Sequence, residues 1–391
     1  MGLLAELAPM AIDDSNRMPS WGAIVSDVED REVRRLPGPR GDHVTVEADR
    51  GSLGVSMDTQ GGPSSAATDE MSAASIPTAE EAVDRYRRLA ETDAATYLPD
   101  LANSLNNLAL DLDRVGSSEQ ALSCLEEAIG HYRRLAGTDP GNHLPGLATS
   151  LHNLACMRRD RGRHEQALAP AQEAVTIYRQ LAETDPGNHL YFLASKLHHL
   201  AMAFTDLGRH EQALAAAEEA VAIHRQLAET DPDTHHLTVL AISLNAVEFP
   251  LANLGRHEQA LAPAQEAVTI YRQLAETDPD THLYFLAGAL NTLAIRFAEA
   301  GRHEQALPPA REAVTIYRRL AKADPDGHLP DLAGALSRLA TCLADTDRRE
   351  QALAPAQEAV DHYRHLARAW PDRYDSDAEA AAALLNGLAP S

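Results

Sequence analysis

The segment Gly162–Pro186 reads GRHEQALAPAQEAVTIYRQLAETDP, and the same residues return without change at Gly255–Pro279. Within it lies EQAL, which begins at Glu119, Glu165, Glu211, Glu258, Glu304 and Glu350, in steps of 46, 46, 47, 46 and 46 residues. A fixed period of this length marks stacked supersecondary units, each burying its apolar face against its neighbours. The one extra residue falls in Asp231–Leu237 (DPDTHHL), against Asp185–Leu190 (DPGNHL), and lengthens a loop, where insertion is tolerated.

Each period reads as two helices. In Leu190–Leu207, the residues Leu193, Leu197, Leu200, Ala201 and Phe204 share one helical face, and Gly208 ends the run. In the next segment Ala213, Leu214, Ala217, Ala220, Val221, His224 and Leu227 share a face, and Asp231-Pro232 closes it because a residue before proline avoids the helical region. Leu98-Pro99, Leu144-Pro145 and Leu329-Pro330 are expected to place proline in a first turn. Small residues are expected where the two helices cross, such as Ala109 with Ala121 and Ala294 with Ala306. The fourth repeat departs from this: Glu248 takes the small-residue position and Pro250 lies inside the helix. A buried Glu248 must turn outward, find a partner or take up a proton.

The expected fold is all-α, an α-solenoid of antiparallel helical hairpins with a 46-residue repeat. A half repeat (77–93) opens it, six hairpins (94–371) follow, and a closing helix (372–391) ends it, fourteen helices in all. Thr78 and Glu81 have capping-box spacing at the start of the half repeat. Residues 1–76 are rich in Gly, Ser, Asp and Pro without a sustained period and read as a mostly disordered leader. It holds two short apolar patches, Leu3–Ile12 and Trp21–Val28, and a chance RGD at Arg40–Asp42.

The formal net charge is -24, from 34 basic and 58 acidic residues, which disfavours a nucleic-acid partner. The bias of arginine over lysine, with high alanine, suggests a bacterial source of GC-rich genome. The three cysteines, Cys124, Cys156 and Cys342, form no CxxC pair, which fits a reducing cytoplasm. No basic n-region of a signal peptide opens the chain and no uninterrupted apolar run is long enough to span a membrane, so no membrane partner is expected.

In the third repeat Leu197, Leu200-Ala201, Phe204, Ala213, Ala217, Ala220 and Pro232 occupy a known pattern, and the array resembles the tetratricopeptide repeat family from about Pro77 onward. Ala217 departs from it, since bulk is expected there, and the repeats are longer than is usual for the family. LNNLA at Leu105–Ala109 is similar to kinesin-light-chain-type repeats, and many-copy alanine-rich repeats of this form resemble those of actinobacterial signalling proteins.

Chemistry is sparse. Of 18 histidines most are repeat-borne, and residues copied once per repeat are expected to lie too far apart to share a metal. HEQAL starts like a zinc-protease helix but puts Leu168, Leu214, Leu261 or Leu307 where the second histidine is needed. Neither Lys196 nor Lys322 stands in a phosphate-binding loop, and no GxSxG is present. The Glu-Gln and Gln-Glu pairs read as solvated charge on exposed faces. We therefore expect no catalytic residue, no cofactor and no metal.

What remains is surface. The resemblance implies that first helices line a concave groove, at Asn106, His152, His198, Asn245 and Asn291 and, one turn on, at Leu110, Cys156, Met202, Phe249 and Ile295. Such a face is neutral, with amides beside an apolar strip, and suits an extended peptide or a helix. The asparagines equally suit bonds within the scaffold. The function expected is a protein-interaction scaffold, a cytoplasmic protein whose partner is a protein or peptide. The alternatives are a sensor or regulatory array acting beside a separately encoded effector, and an enzyme built into the superhelix.

Overall fold

The computed structural model describes residues 65–388. The patches at Leu3–Ile12 and Trp21–Val28 and the Arg40–Asp42 triplet lie outside the described residues. Among the described residues every regular element is a helix: α1 (Ser65–Thr92), α2 (Ala94–Arg114), α3 (Ser118–Ala136), α4 (Pro140–Asp160), α5 (His164–Thr184), α6 (Pro186–Asp206), α7 (His210–Thr230), α8 (Thr234–Asn253), α9 (His257–Thr277), α10 (Pro279–Glu299), α11 (His303–Ala323), α12 (Pro325–Asp345), α13 (Arg349–Ala369) and α14 (Pro371–Leu388). The fold is an α-solenoid of these helices, and the count matches the sequence expectation. Two compact units divide the described chain, residues 65–207 and 208–388, and within each unit every helix packs on the next.

The turn inside each hairpin explains the recurring glycine. Gly162 has φ +70°, its N–H donates to the Arg159 carbonyl at 2.8 Å, and Arg163 N–H reaches back to Arg158 at 2.8 Å. This closes α4 in a Schellman motif, whose left-handed residue has no Cβ to clash. Gly116, Gly208, Gly255 and Gly301 repeat the positive φ, but the last hairpin uses Asp347 at φ 59°. Asp347→Gly is therefore expected to raise stability by about 0.5–1 kcal/mol. Urea denaturation checks this, and an unchanged midpoint would mean that the aspartate side chain offsets its own backbone strain.

At most joints between hairpins the chain turns on a single residue; Gly137–Asp139 takes three. Asp185 (φ −141°, ψ 80°) both ends α5 and caps α6, its carboxylate accepting from the Asn188 backbone N–H at 3.3 Å and side-chain amide at 2.6 Å. Pro186 then takes the first helical position, where no N–H partner is needed. Asp278-Pro279 and Asp324-Pro325 do the same. This corrects the expected helix starts: Pro99, Pro145 and Pro330 lie well inside α2, α4 and α12, because the Asp-Pro pair is both stop and start. At the extra residue the joint lengthens to Asp231–Asp233, and Asp233 caps α8 by accepting from His236 N–H at 2.7 Å. Likewise α1 begins at Ser65, upstream of the Thr78–Glu81 spacing, and Thr78 is exposed within it.

The core is made of alanine and leucine rows. Ala109, Ala121, Ala294, Ala306, Ala340 and Ala352 are each fully buried. Inside α5, Pro170 leaves the Gln166 carbonyl without its helical donor, and the Arg158 guanidinium donates to that oxygen at 3.1 Å.

The exposed charges of the repeated segment form two ladders between successive second helices. Arg133 Nη2 lies 2.7 Å from Glu173, Arg225 2.9 Å from Glu266, Arg272 3.0 Å from Glu312 and Arg318 2.5 Å from Glu358. The arginine of GRH pairs with the glutamate of EQAL one repeat earlier: Arg163 with Glu119, Arg256 with Glu211 at 2.7 Å, Arg302 with Glu258 at 2.5 Å, and Arg348 with Glu304 at 2.9 Å. The glutamates read as solvated charge are thus paired ones. Each exposed pair adds little alone, but a network sets the register of neighbours.

Candidate binding surface on the first helices

In the unit 65–207 the face is built by α2, α4 and α6, with α2 touching α4 and α4 touching α6. Asn106 Oδ1 accepts from Ser150 Oγ at 3.2 Å and Asn153 Nδ2 at 3.1 Å, so its amide oxygen serves the scaffold. Leu110, Cys156 and Met202 are half-buried, while His152 and His198 are buried. The expectation that histidines copied once per repeat stand too far apart to share a ligand does not reach non-equivalent residues of adjacent repeats. First helices of adjacent repeats touch directly, and the His152 and His199 ring centroids are 4.5 Å apart.

Cations also stand on this face. Lys196 is 6% exposed and donates to Ser195 Oγ at 3.3 Å. Arg159 lies 3.2 Å from Asp160 and 3.8 Å from Asp206, and its Nη1 meets Met202 Sδ at 3.4 Å. Burial pushes the His198 and His199 pKa values down to about 3 and that of His152 well below the usual range, with the charges of Arg159 and, at His152 and His199, Lys196 acting in the same direction. Lys196, His199 and Arg159 were not among the expected groove positions. Their signal was helical spacing, since each lies within one helical turn of His198 or Cys156.

In the unit 208–388 the face is carried by α8, α10 and α12. Asn245 and Ile295 are half-buried, and Asn291 Oδ1 is buried with no hydrogen-bond partner among the described residues. Phe249 is 41% exposed, and among the described residues only Trp370 is another large exposed hydrophobic. Ser337 and Thr341 follow on α12, where Thr341 Oγ1 bonds the Ser337 carbonyl at 3.0 Å.

The irregular fourth repeat resolves here. Pro250 is buried within α8, and Glu248 is 5% exposed. Of the three outcomes open to Glu248, a partner is present: Arg296 of α10, itself 5% exposed, whose Nε lies 3.0 Å from Glu248 Oε2 in an ion pair rather than an aligned hydrogen bond. Arg296 also holds Glu299 at 2.7 Å. Burial pushes the Glu248 carboxyl up to about 7 even with Arg296 drawing it down. Both residues are exceptions at their repeat positions: alanine replaces Glu248 in the other repeats, and Ala203, Met157 and Cys342 stand where Arg296 does.

The family model described as tetratricopeptide repeat matches residues 101–142, 147–186, 193–235 and 286–328. A second, described as anaphase-promoting complex subunit 5, matches residues 234–291. Among solved structures, BtubC (BKLC) from P. vanneervenii is 20% identical with a TM-score of 0.51, over 64% of this chain and 92% of that one. A Podosopora anserina protein with nearly identical TPR-like repeats is 18% identical with a TM-score of 0.46, over 56% of this chain and 96% of that one. A signal transduction ATPase with a tetratricopeptide repeat sensor, from Pyrococcus horikoshii, is 17% identical with a TM-score of 0.47, over 78% of this chain and 42% of that one. No match to a curated protein was found. With the period and hairpins above, the chain carries tetratricopeptide repeats over these residues. No described helix is long and apolar enough to cross a membrane.

Proposed function

We propose that the protein is a non-catalytic interaction scaffold that holds a peptide or helix of a partner protein on the first-helix face. The observation that carries this reading is Phe249, an aromatic left 41% exposed at one of the expected groove positions. Asn245 and Asn291 occupy matching positions on α8 and α10, and asparagine amides pair with the backbone of an extended peptide. Large aromatic anchors dominate binding energy at interfaces of this kind. The strong negative charge suits a neutral or basic peptide.

The test is selection of a displayed peptide library against the full chain, followed by affinity measurement on the variants. Phe249→Ala is expected to weaken the selected peptides at least about tenfold, a loss near 1.4 kcal/mol. Substitution of exposed Glu165 on α5 is expected to leave affinity unchanged. If Phe249→Ala binds as tightly as the parent chain, the first-helix face is not the site.

A further inference from the structure

We infer that His152, Cys156 and His199 form a binding site for a soft monovalent metal, copper(I), between α4 and α6. One ligand atom from each lies within 4.8 Å of the others. Cys156 Sγ stands 3.8 Å from His152 Nδ1 and 3.7 Å from Nε2. With metal–sulfur near 2.3 Å and metal–nitrogen near 2.0–2.1 Å, two ligands at a tetrahedral or trigonal angle lie about 3.6–3.8 Å apart. The sulfur and either imidazole nitrogen therefore already stand at a ligand-to-ligand distance.

The tautomer of His199 is fixed for the task. Its Nδ1 lies 2.9 Å from the Ser195 carbonyl. A carbonyl only accepts, so Nδ1 carries the proton and Nε2 keeps its lone pair, the arrangement that orients metal-binding histidines. His198 packs edge-on against His199 at 5.5 Å, 4% exposed, with neither ring nitrogen hydrogen-bonded among the described residues. A buried imidazole with two unsatisfied nitrogens costs stability unless another ligand or donor reaches it.

The charges choose the ion. Thiolate and imidazole suit copper(I) and zinc. A thiolate with copper(I) is neutral overall, whereas with zinc(II) it carries a net positive charge. That excess would sit beside Lys196 of α6 and Arg159 of α4, each one helical turn from a ligand, His199 and Cys156. Binding joins first helices of two adjacent repeats, so the ion acts as a staple between them.

The test is anaerobic titration of the full chain with copper(I) against the chelator bicinchoninate. One equivalent is expected to be retained, with X-ray absorption showing one sulfur and two or more nitrogens. Cys156→Ser and His199→Gln are each expected to lower affinity at least about a hundredfold, while the double change Cys124→Ser with Cys342→Ser retains it. Circular dichroism checks that each variant stays helical. Failure to hold copper(I) against the chelator, a first shell without sulfur in the unaltered chain, retention unchanged in Cys156→Ser, or displacement by equimolar zinc(II) would each overturn the assignment.

Discussion

Arg296→Ala is expected to destabilise the protein by about 3–5 kcal/mol at pH 8, because it leaves the Glu248 carboxylate buried without its counter-charge. The loss should shrink as pH falls, since an unpaired buried carboxyl escapes the penalty by taking a proton. The unaltered chain carries a milder form of the same dependence. Glu248 has a folded pKa raised to about 7 by burial, above the 4.5 of an ordinary glutamate. The folded state therefore binds more protons than the unfolded state between those values, and stability falls as pH rises through that window. The fall is on the order of 3 kcal/mol in all, and Glu248→Gln should abolish it. Replacing both residues, Glu248→Ala with Arg296→Ala, should restore most of the stability, since buried pairs exchanged for apolar residues are often neutral. Urea denaturation at pH 6 and 8, analysed with nearest-neighbour coupling, checks each of these outcomes. If Arg296→Ala stays within about 0.5 kcal/mol of the parent at pH 8, the pair contributes no such protection.

Leu336→Ala is expected to cost about 2–5 kcal/mol, the range for a buried leucine whose neighbours collapse only in part. Leu336 is fully buried in a cluster with Ala287 of α10, Val314, Tyr317 and Ala321 of α11, Leu332 and Ala335 of α12, and Ala359 of α13. One side chain thus sits in a core shared by two successive hairpins, α10–α11 and α12–α13. Because a repeat array is stabilised by local and nearest-neighbour terms, the damage should stay local. Hydrogen exchange is expected to speed up across α11–α13 and to remain unchanged across α2–α5. Equal acceleration in both regions would show global cooperativity and defeat the prediction.

Much of the fold was legible in the sequence because a repeat states the same physics several times. The glycine at positive φ, the alanine rows and the hairpin count all follow from the aligned copies. The helix starts were misplaced because Asp-Pro was read as a terminator alone, whereas one aspartate accepts the incoming helix and caps the outgoing one. Arg296 was missed as the partner of Glu248 because they belong to different repeats. The clue was that both break their columns in neighbouring copies. The histidine cluster was missed for a related reason. Groove positions were chosen at one fixed offset per repeat, yet His152 and His199 stand at different offsets and meet across the contact between α4 and α6. Side chains pack in space, and a column of equivalent residues does not show the diagonal neighbour.

The charge ladders described on the second helices bear on how such a chain changes length over generations. The later copies present an acceptor glutamate to one side and a donor arginine to the other, so a duplicated copy of this kind carries matching ends. The Glu248–Arg296 pair is the exception, because each half exists once. Separating the fourth copy from the fifth would leave the Glu248 carboxylate buried without its counter-charge, while Arg296 would keep Glu299. That pair ties the fourth copy to the fifth in a way the repeated surface charges do not.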